Sequence, residues 1–280
     1  MKEFKNAMSL KAHIKNEAIK KQVPAQVIMQ NYMMERLLER ISLSRYKNNF
    51  ILKGGFLISA IVGVDTRTTM DMDATIKGIN VQKENIKNIF TEIINVTIND
   101  NIQFHIKRLE NIREGDQYPG IRLFLEAVSP PLRVPLSIDI TTGDKITPKE
   151  INYNFKLMFE DRKIEVLAYN LETILAEKIE TIVSRQNSNT RMRDFYDVYI
   201  LYKIFKNDLN IKQFSESLKA TSIKRKSNNL FLNSPEIIDR IKENDTINSL
   251  WTNYQKDFRY AENIKIADVC LIIKNLLASI

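Results

Sequence analysis

All seven glycines of this 280-residue chain lie between Gly54 and Gly143. Glycine enters the left-handed region and tight turns at no steric cost, so the sharp reversals of the chain are confined to its middle. A compact α/β centre is expected there, with helical segments before and after it. At residues 9–48, Val27, Ile28, Tyr32, Leu37, Leu38 and Ile41 recur at helical spacing; Ser9 fits an N-cap and Pro24 the first turn of a second helix. In the centre, the apolar run Phe50, Ile51, Leu52 meets Gly54 and Gly55 and is followed by a short apolar helix over 56–62. Residues 70–76 alternate polar and apolar as a strand does, and 82–96 return to helical spacing through Ile86, Ile89, Phe90 and Ile93. Three more strands are predicted at 102–109, 120–127 and 134–140, the first two separated by a polar stretch around Glu114, Gly115 and Asp116. Residues 144–168 read as less regular. From Leu171 the chain reads as helical to its end, interrupted at 186–189, 224–229 and 243–245. The expected class is therefore α+β: an N-terminal helical arm (1–48), a core with a mixed sheet and helices on one side of it (49–168), and an all-helical C-terminal part (169–280).

Charge narrows the partners. Forty-two Lys and Arg against 34 Asp and Glu give a net charge of +8, which suits a polyanion such as RNA, DNA or a nucleotide as well as it suits a merely soluble surface. The single cysteine, Cys270, lies in an apolar stretch, cannot form an internal disulfide, and fits a core residue in a reducing, cytoplasmic setting. No stretch approaches the roughly 18 apolar residues of a membrane helix, so no membrane partner is expected. With only His13 and His105 and one apolar cysteine, a Ser/His/Asp or thiol enzyme is disfavoured.

The chemistry concentrates in Asp71 and Asp73. Residues two apart on a strand share a face, so these carboxylates stand side by side and call for a cation. Mg²⁺ is held by one or two carboxylates together with substrate phosphates, which points to a nucleoside triphosphate. Alone, such a pair is common. Upstream, Lys53, Gly54 and Gly55 place a glycine turn between a strand and a helix, where backbone N–H groups and the positive helix end can receive a phosphate. Strand, Gly-Gly, helix, then a strand with two aspartates is the order in which polymerase-β-type nucleotidyltransferases build their site. Two-metal phosphoryl transfer needs a third carboxylate, and Asp139 fits, flanked by Ile138 and Ile140 pointing the other way; the alternative is a cap on the turn Thr141, Thr142, Gly143. On the helix 171–185, Lys178 edges the apolar stripe with Arg185 about 20° round the same helix. The pair suits a triphosphate or simply snorkels, with Glu177 and Glu180 expected toward solvent. Asp194 and Asp197, with Arg191 and Arg193 nearby, read on their own as a solvated ladder, and Arg67 either grips a phosphate or pairs with Asp65.

Four blocks in order, residues 49–55 (NFILKGG), 67–73 (RTTMDMD), 175–178 (LAEK) and 191–197 (RMRDFYD), resemble the successive motifs of the AbiEii/AbiGii nucleotidyltransferase toxins over about residues 20–205. The resemblance implies a polymerase-β-like nucleotidyltransferase of a type IV abortive-infection toxin–antitoxin pair acting in phage defence, with relatives such as the MenT toxins that add nucleotides to tRNA acceptor ends. It implies that Gly54 and Gly55 cradle the triphosphate, that Asp71 and Asp73 bind Mg²⁺, that Lys178 meets the nucleotide phosphates, and that Asp194 or Asp197 is the late acidic residue; it also tips Arg67 toward the site. Phe56 departs from the hydroxyl residue frequent after Gly-Gly. Together, residues and resemblance give an enzyme using an NTP and two Mg²⁺ ions held by Asp71, Asp73 and Asp139. Lys53, Gly54, Gly55, Arg67, Lys178 and Arg185 bind nucleotide, and Asp71, Asp73, Asp139, Lys178 and Asp194 serve catalysis. The expected acceptor is RNA, foremost a tRNA 3′ end, and the expected partner a cognate antitoxin that is a DNA-binding regulator. The rivals are a protein acceptor and an inactive nucleotide-binding regulator.

Overall fold

The computed structural model describes residue 4, residues 6–112 and residues 120–280; the polar stretch at Glu114, Gly115 and Asp116 lies outside them. The chain divides into two compact units, residues 1–144 with 151–168, and residues 145–150 with 169–280.

In the first unit, helices α1 (Ala7–Lys21) and α2 (Ala25–Leu43) precede β1 (Phe50–Lys53), α3 (Gly54–Val62), β2 (Met72–Ile76), α4 (Lys83–Ile94), β3 (Gln103–Ile112), β4 (Gly120–Ser129), β5 (Leu132–Thr142), β6 (Ile151–Lys156) and β7 (Lys163–Ala168). The seven strands form one mixed sheet in the order β3-β4-β5-β2-β1-β7-β6, with β2–β5 and β1–β7 parallel and the other pairs antiparallel. This is the mixed α+β arrangement that the pattern predicted.

The differences from expectation are local. The cap of α1 is Asn6, whose side chain accepts from the N–H of Ser9, so the helix begins ahead of Ser9 rather than at it. Residues 144–168, expected to be less regular, contain the hairpin β6–β7. The alternation was present in β7, where Ile164, Val166 and Ala168 are buried, but β6 is an edge strand that buries only Phe155 and so carries little period-2 signal.

One face of the sheet makes the core. Leu123, Leu125, Ala127, Val134, Leu136, Ile138 and Ile140 are all buried on this face, where α2 packs on β5 and α4 on β3. Charge pins α2 in place as much as apolar packing does. Arg36, 1 % exposed, reaches Glu35 at 2.7 Å, Glu39 at 2.8 Å and Glu160 at 3.1 Å, while Arg40 grips both carboxylate oxygens of Asp100. Burial pushes the Glu35 carboxyl up to about 7, against the pull of Arg36 and the hydrogen bond from the Met158 N–H.

The second unit is helical: α5 (Leu171–Arg185), α6 (Met192–Phe205), α7 (Ile211–Lys224), α8 (Ser234–Glu243), α9 (Asp245–Asp257) and α10 (Ile266–Ala278). Asn170 caps α5 by accepting from the Thr173 N–H and ties residues 145–150 to this unit by donating to the carbonyls of Thr147 and Lys149. Cys270 is 1 % exposed, and burial pushes its thiol up to about 12, as suits a core residue.

Candidate active site

Register alone brings the acidic residues together. Lys53 of β1 stands opposite Asp73 of β2, Asp73 opposite Asp139 of β5, and Asp139 opposite Arg122 of β4. Directly opposed residues share a face, so these four side chains lie on the side of the sheet away from α2, with Ile138 and Ile140 buried on the other at 1 % and 0 %. Asp71, just before β2, is exposed and accepts a 2.8 Å hydrogen bond from the Ser137 hydroxyl. The alternative role for Asp139, a turn cap, is not what it does here. The Arg122 guanidinium donates to both of its carboxylate oxygens, at 2.6 and 2.7 Å. The hydrogen bond to Asp139 and the fields of Asp139, Asp71 and Asp73 together hold Arg122 above its ordinary range, so one cation faces all three acids.

Glycine is required where β1 becomes α3. Gly54 has φ +66°, and a Cβ placed on it would lie 2.0 Å from Asp73 Oδ2. The backbone therefore passes directly beneath the carboxylate, and any side chain at 54 would force Asp73 aside. A Cβ on Gly55 would meet Thr69 Oγ1 at 2.9 Å and the Arg67 guanidinium nitrogens at 3.1 and 3.4 Å. Arg67 is 3 % exposed and donates to the Thr68 carbonyl, while Asp65 is held by Lys21 at 2.9 Å. The N-cap residue of α3, Lys53, makes no side-chain cap hydrogen bond, and Arg67 and Thr69 lie against the glycines of this helix start beside Asp73. The chemistry there suits a phosphate.

Lys53 is 6 % exposed and turns into the wall of the site, donating to Thr141 Oγ1 at 2.7 Å and pairing with Asp144. Burial would raise the Asp144 carboxyl, but the Lys53 charge and the hydrogen bonds from Lys53, Thr75 and Thr141 overcome it and hold Asp144 well below the usual carboxylate range. Sequence reading passed over Asp144. Its signal was the run Thr141, Thr142, Gly143, which puts the next residue back over the end of β5.

The donor set fits a divalent cation in part. Among the described residues no three Asp, Glu, His or Cys side chains converge into a ready cage. Mg²⁺ needs only one or two carboxylates when phosphate and water complete its shell, and Asp71 and Asp73, with the close approach at Gly54, supply those. Both Asp139 oxygens are taken by Arg122.

Lys178, Arg185, Asp194 and Asp197 belong to the helical unit. Lys178 reaches Asp194 at 2.6 Å and Asp197 at 2.9 Å, and Arg191 holds the other Asp194 oxygen at 2.7 Å. Asp194 and Asp197 are 1 % and 0 % exposed, so they are not the solvated ladder that their spacing suggested: α6 turns them onto α5, where Lys178 supplies the counter-charge. Glu180, expected toward solvent, is also buried, bound by Arg225 at 2.5 Å and by Ser227 at 2.7 Å. Arg185 is exposed in the last turn of α5.

A sheet with this register, a glycine-started helix and an acidic strand end define a polymerase-β-like nucleotidyltransferase. The chain belongs to the family described as nucleotidyl transferase AbiEii toxin, type IV toxin–antitoxin system, whose model matches residues 36–271. Two solved structures from Helicobacter pylori share the fold. One, of a candidate nucleotidyltransferase, covers 91 % of this chain and 95 % of its own at 12 % identity and a TM-score of 0.51. The other, JHP933, covers 90 % of each at 14 % identity and a TM-score of 0.52. No curated protein matches the chain significantly. Among the described residues no helix is long and apolar enough to cross a membrane.

Proposed function

We propose that this toxin-family chain transfers a nucleoside monophosphate from an NTP to the 3′-hydroxyl of an RNA, foremost a tRNA, with release of pyrophosphate, in the cytoplasm, and that a cognate antitoxin restrains it. The observation that carries the reading is the placement of Asp73 directly over the Gly54 backbone at the start of α3, which puts a carboxylate and a phosphate-binding helix end in one spot. Bound Mg²⁺ would neutralise the triphosphate and stabilise the charge that develops on it during transfer, with Asp71 and Asp73 as its protein ligands. Gly54 and Gly55 let the first N–H groups of α3 approach the phosphates, and Arg67 supports that helix start with positive charge. Asp139, once clear of Arg122, is placed to accept the proton of the attacking hydroxyl. Lys53 acts one step removed: paired with Asp144, it fixes the end of β5 that carries Asp139. The net charge of +8 suits an RNA acceptor bound through its phosphates, so affinity should fall as salt rises.

The test is incubation with Mg²⁺, each α-³²P-labelled NTP and bacterial tRNA, comparing wild type with Asp71→Ala/Asp73→Ala. Loss of about 10³-fold or more in labelled tRNA, with the melting temperature nearly unchanged, is expected. Label on a protein instead of RNA would move the acceptor, and no label with intact nucleotide binding would reduce the chain to a regulator.

A further inference from the structure

The pairing of Arg122 with Asp139 does more than satisfy a charge. Arg122 offers its fork to both oxygens of Asp139 at 2.6 and 2.7 Å, a bidentate geometry that leaves this carboxylate little capacity for another cation. Its side chain is 44 % exposed and that of Asp139 23 %, so the pair is not locked in a core and can part. Asp71, by contrast, accepts one neutral hydroxyl from Ser137 and stays exposed. The three acids of one face are thus held unequally, with the third covered by a cation that the chain itself supplies. An Arg fork binds phosphate oxygens as readily as carboxylate oxygens, so an arriving polyphosphate offers Arg122 a second place to go.

We propose that Arg122 is a positioning residue that withholds Asp139 from a divalent cation in the resting protein, and that cation and guanidinium compete for the same two oxygens. Full use of Asp139 is then favoured by the arrival of the triphosphate, whose phosphate oxygens can take the place of the Asp139 carboxylate on the Arg122 fork. The proposal rests on the reading of Asp71 and Asp73 as a cation site.

The test is Mn²⁺ binding to the full chain without nucleotide, followed by electron paramagnetic resonance. It compares wild type, Arg122→Met, Asp139→Asn and the double variant, with thermal melting to show that each is folded and Arg122→Gln as a second removal of the fork. Arg122→Met should tighten Mn²⁺ binding about tenfold, the low end of what the outer partners of a metal ligand control. Asp139→Asn should change the affinity less than about twofold while Arg122 is present, and weaken it about tenfold in the Arg122→Met background. Equal effects of Asp139→Asn in both backgrounds would make Arg122 only a nearby positive charge and overturn the proposal, leaving the functional reading intact if tRNA is still labelled. Mn²⁺ binding that survives Asp71→Ala/Asp73→Ala unchanged would overturn both.

Discussion

Two acid–base clusters in this protein use the same side chains to opposite ends. On the sheet, Asp71, Asp73 and Asp139 lie partly open to solvent, and the guanidinium that holds Asp139 is itself 44 % exposed. Between α5 and α6, Asp194 and Asp197 are sealed at 1 % and 0 % exposure against Lys178. An exposed pair exchanges partners at little cost, whereas a sealed pair cannot lose one partner without stranding the other's charge. The first arrangement suits a site that must take up and release ligands. The second suits a joint that must not move, even though both stretches of sequence belong to the blocks that resemble one toxin family.

This contrast can be broken. Lys178→Ala removes the counter-charge that buried Asp194 and Asp197 share, leaving Arg191 on one oxygen of Asp194, and should cost about 3 kcal/mol, read as a lower urea midpoint. A variant that keeps its midpoint and loses nucleotide affinity instead would make Lys178 a binding group and erase the distinction. Gly54→Ala should show the opposite profile. Left-handed strain of about 1–2 kcal/mol lowers the melting temperature by only a few degrees, while the displaced Asp73 carboxylate reduces nucleotide transfer by about tenfold or more. Equal loss in both readouts would mean that the cradle is as structural as the helical joint.

The smallest effect sharpens the comparison with a third cluster, around α2. Glu35 titrates near 7 in the folded chain, above its ordinary 4.5, so the folded state holds the proton more tightly. Its contribution to stability is fully present below about 4.5 and is lost as pH rises through about 7. Glu35→Gln should therefore gain in melting temperature relative to wild type between pH 5 and pH 8. A difference that does not change with pH would mean that Arg36 keeps Glu35 ionised throughout.

Much of this was legible before any coordinates, because period-2 alternation and glycine placement are local signals. Asp71, Asp73 and Asp139 were readable as one face since Ile138 and Ile140 announce which side is core. Arg122 was passed over because its place opposite Asp139 follows from the register of the β4–β5 hairpin, which depends on where its turn falls, and the predicted strands at 120–127 and 134–140 left that turn open. The burial of Asp194, Asp197 and Glu180 escaped for a similar reason: helical spacing shows which residues share a stripe, not whether another helix brings a cation to it. The strand β6 escaped because an edge strand that buries one side chain has no alternation to read.

The parallel seam between β2 and β5 also sets an order of events during synthesis. Asp73 leaves the ribosome before β3, β4 and β5 exist, and its neighbour Asp139 arrives only with the last of these. A nascent chain that stops short of β5 holds two of the three acids of that face and lacks Asp139. The acid face is thus completed only once β5 has been made, and that order is written into the strand topology.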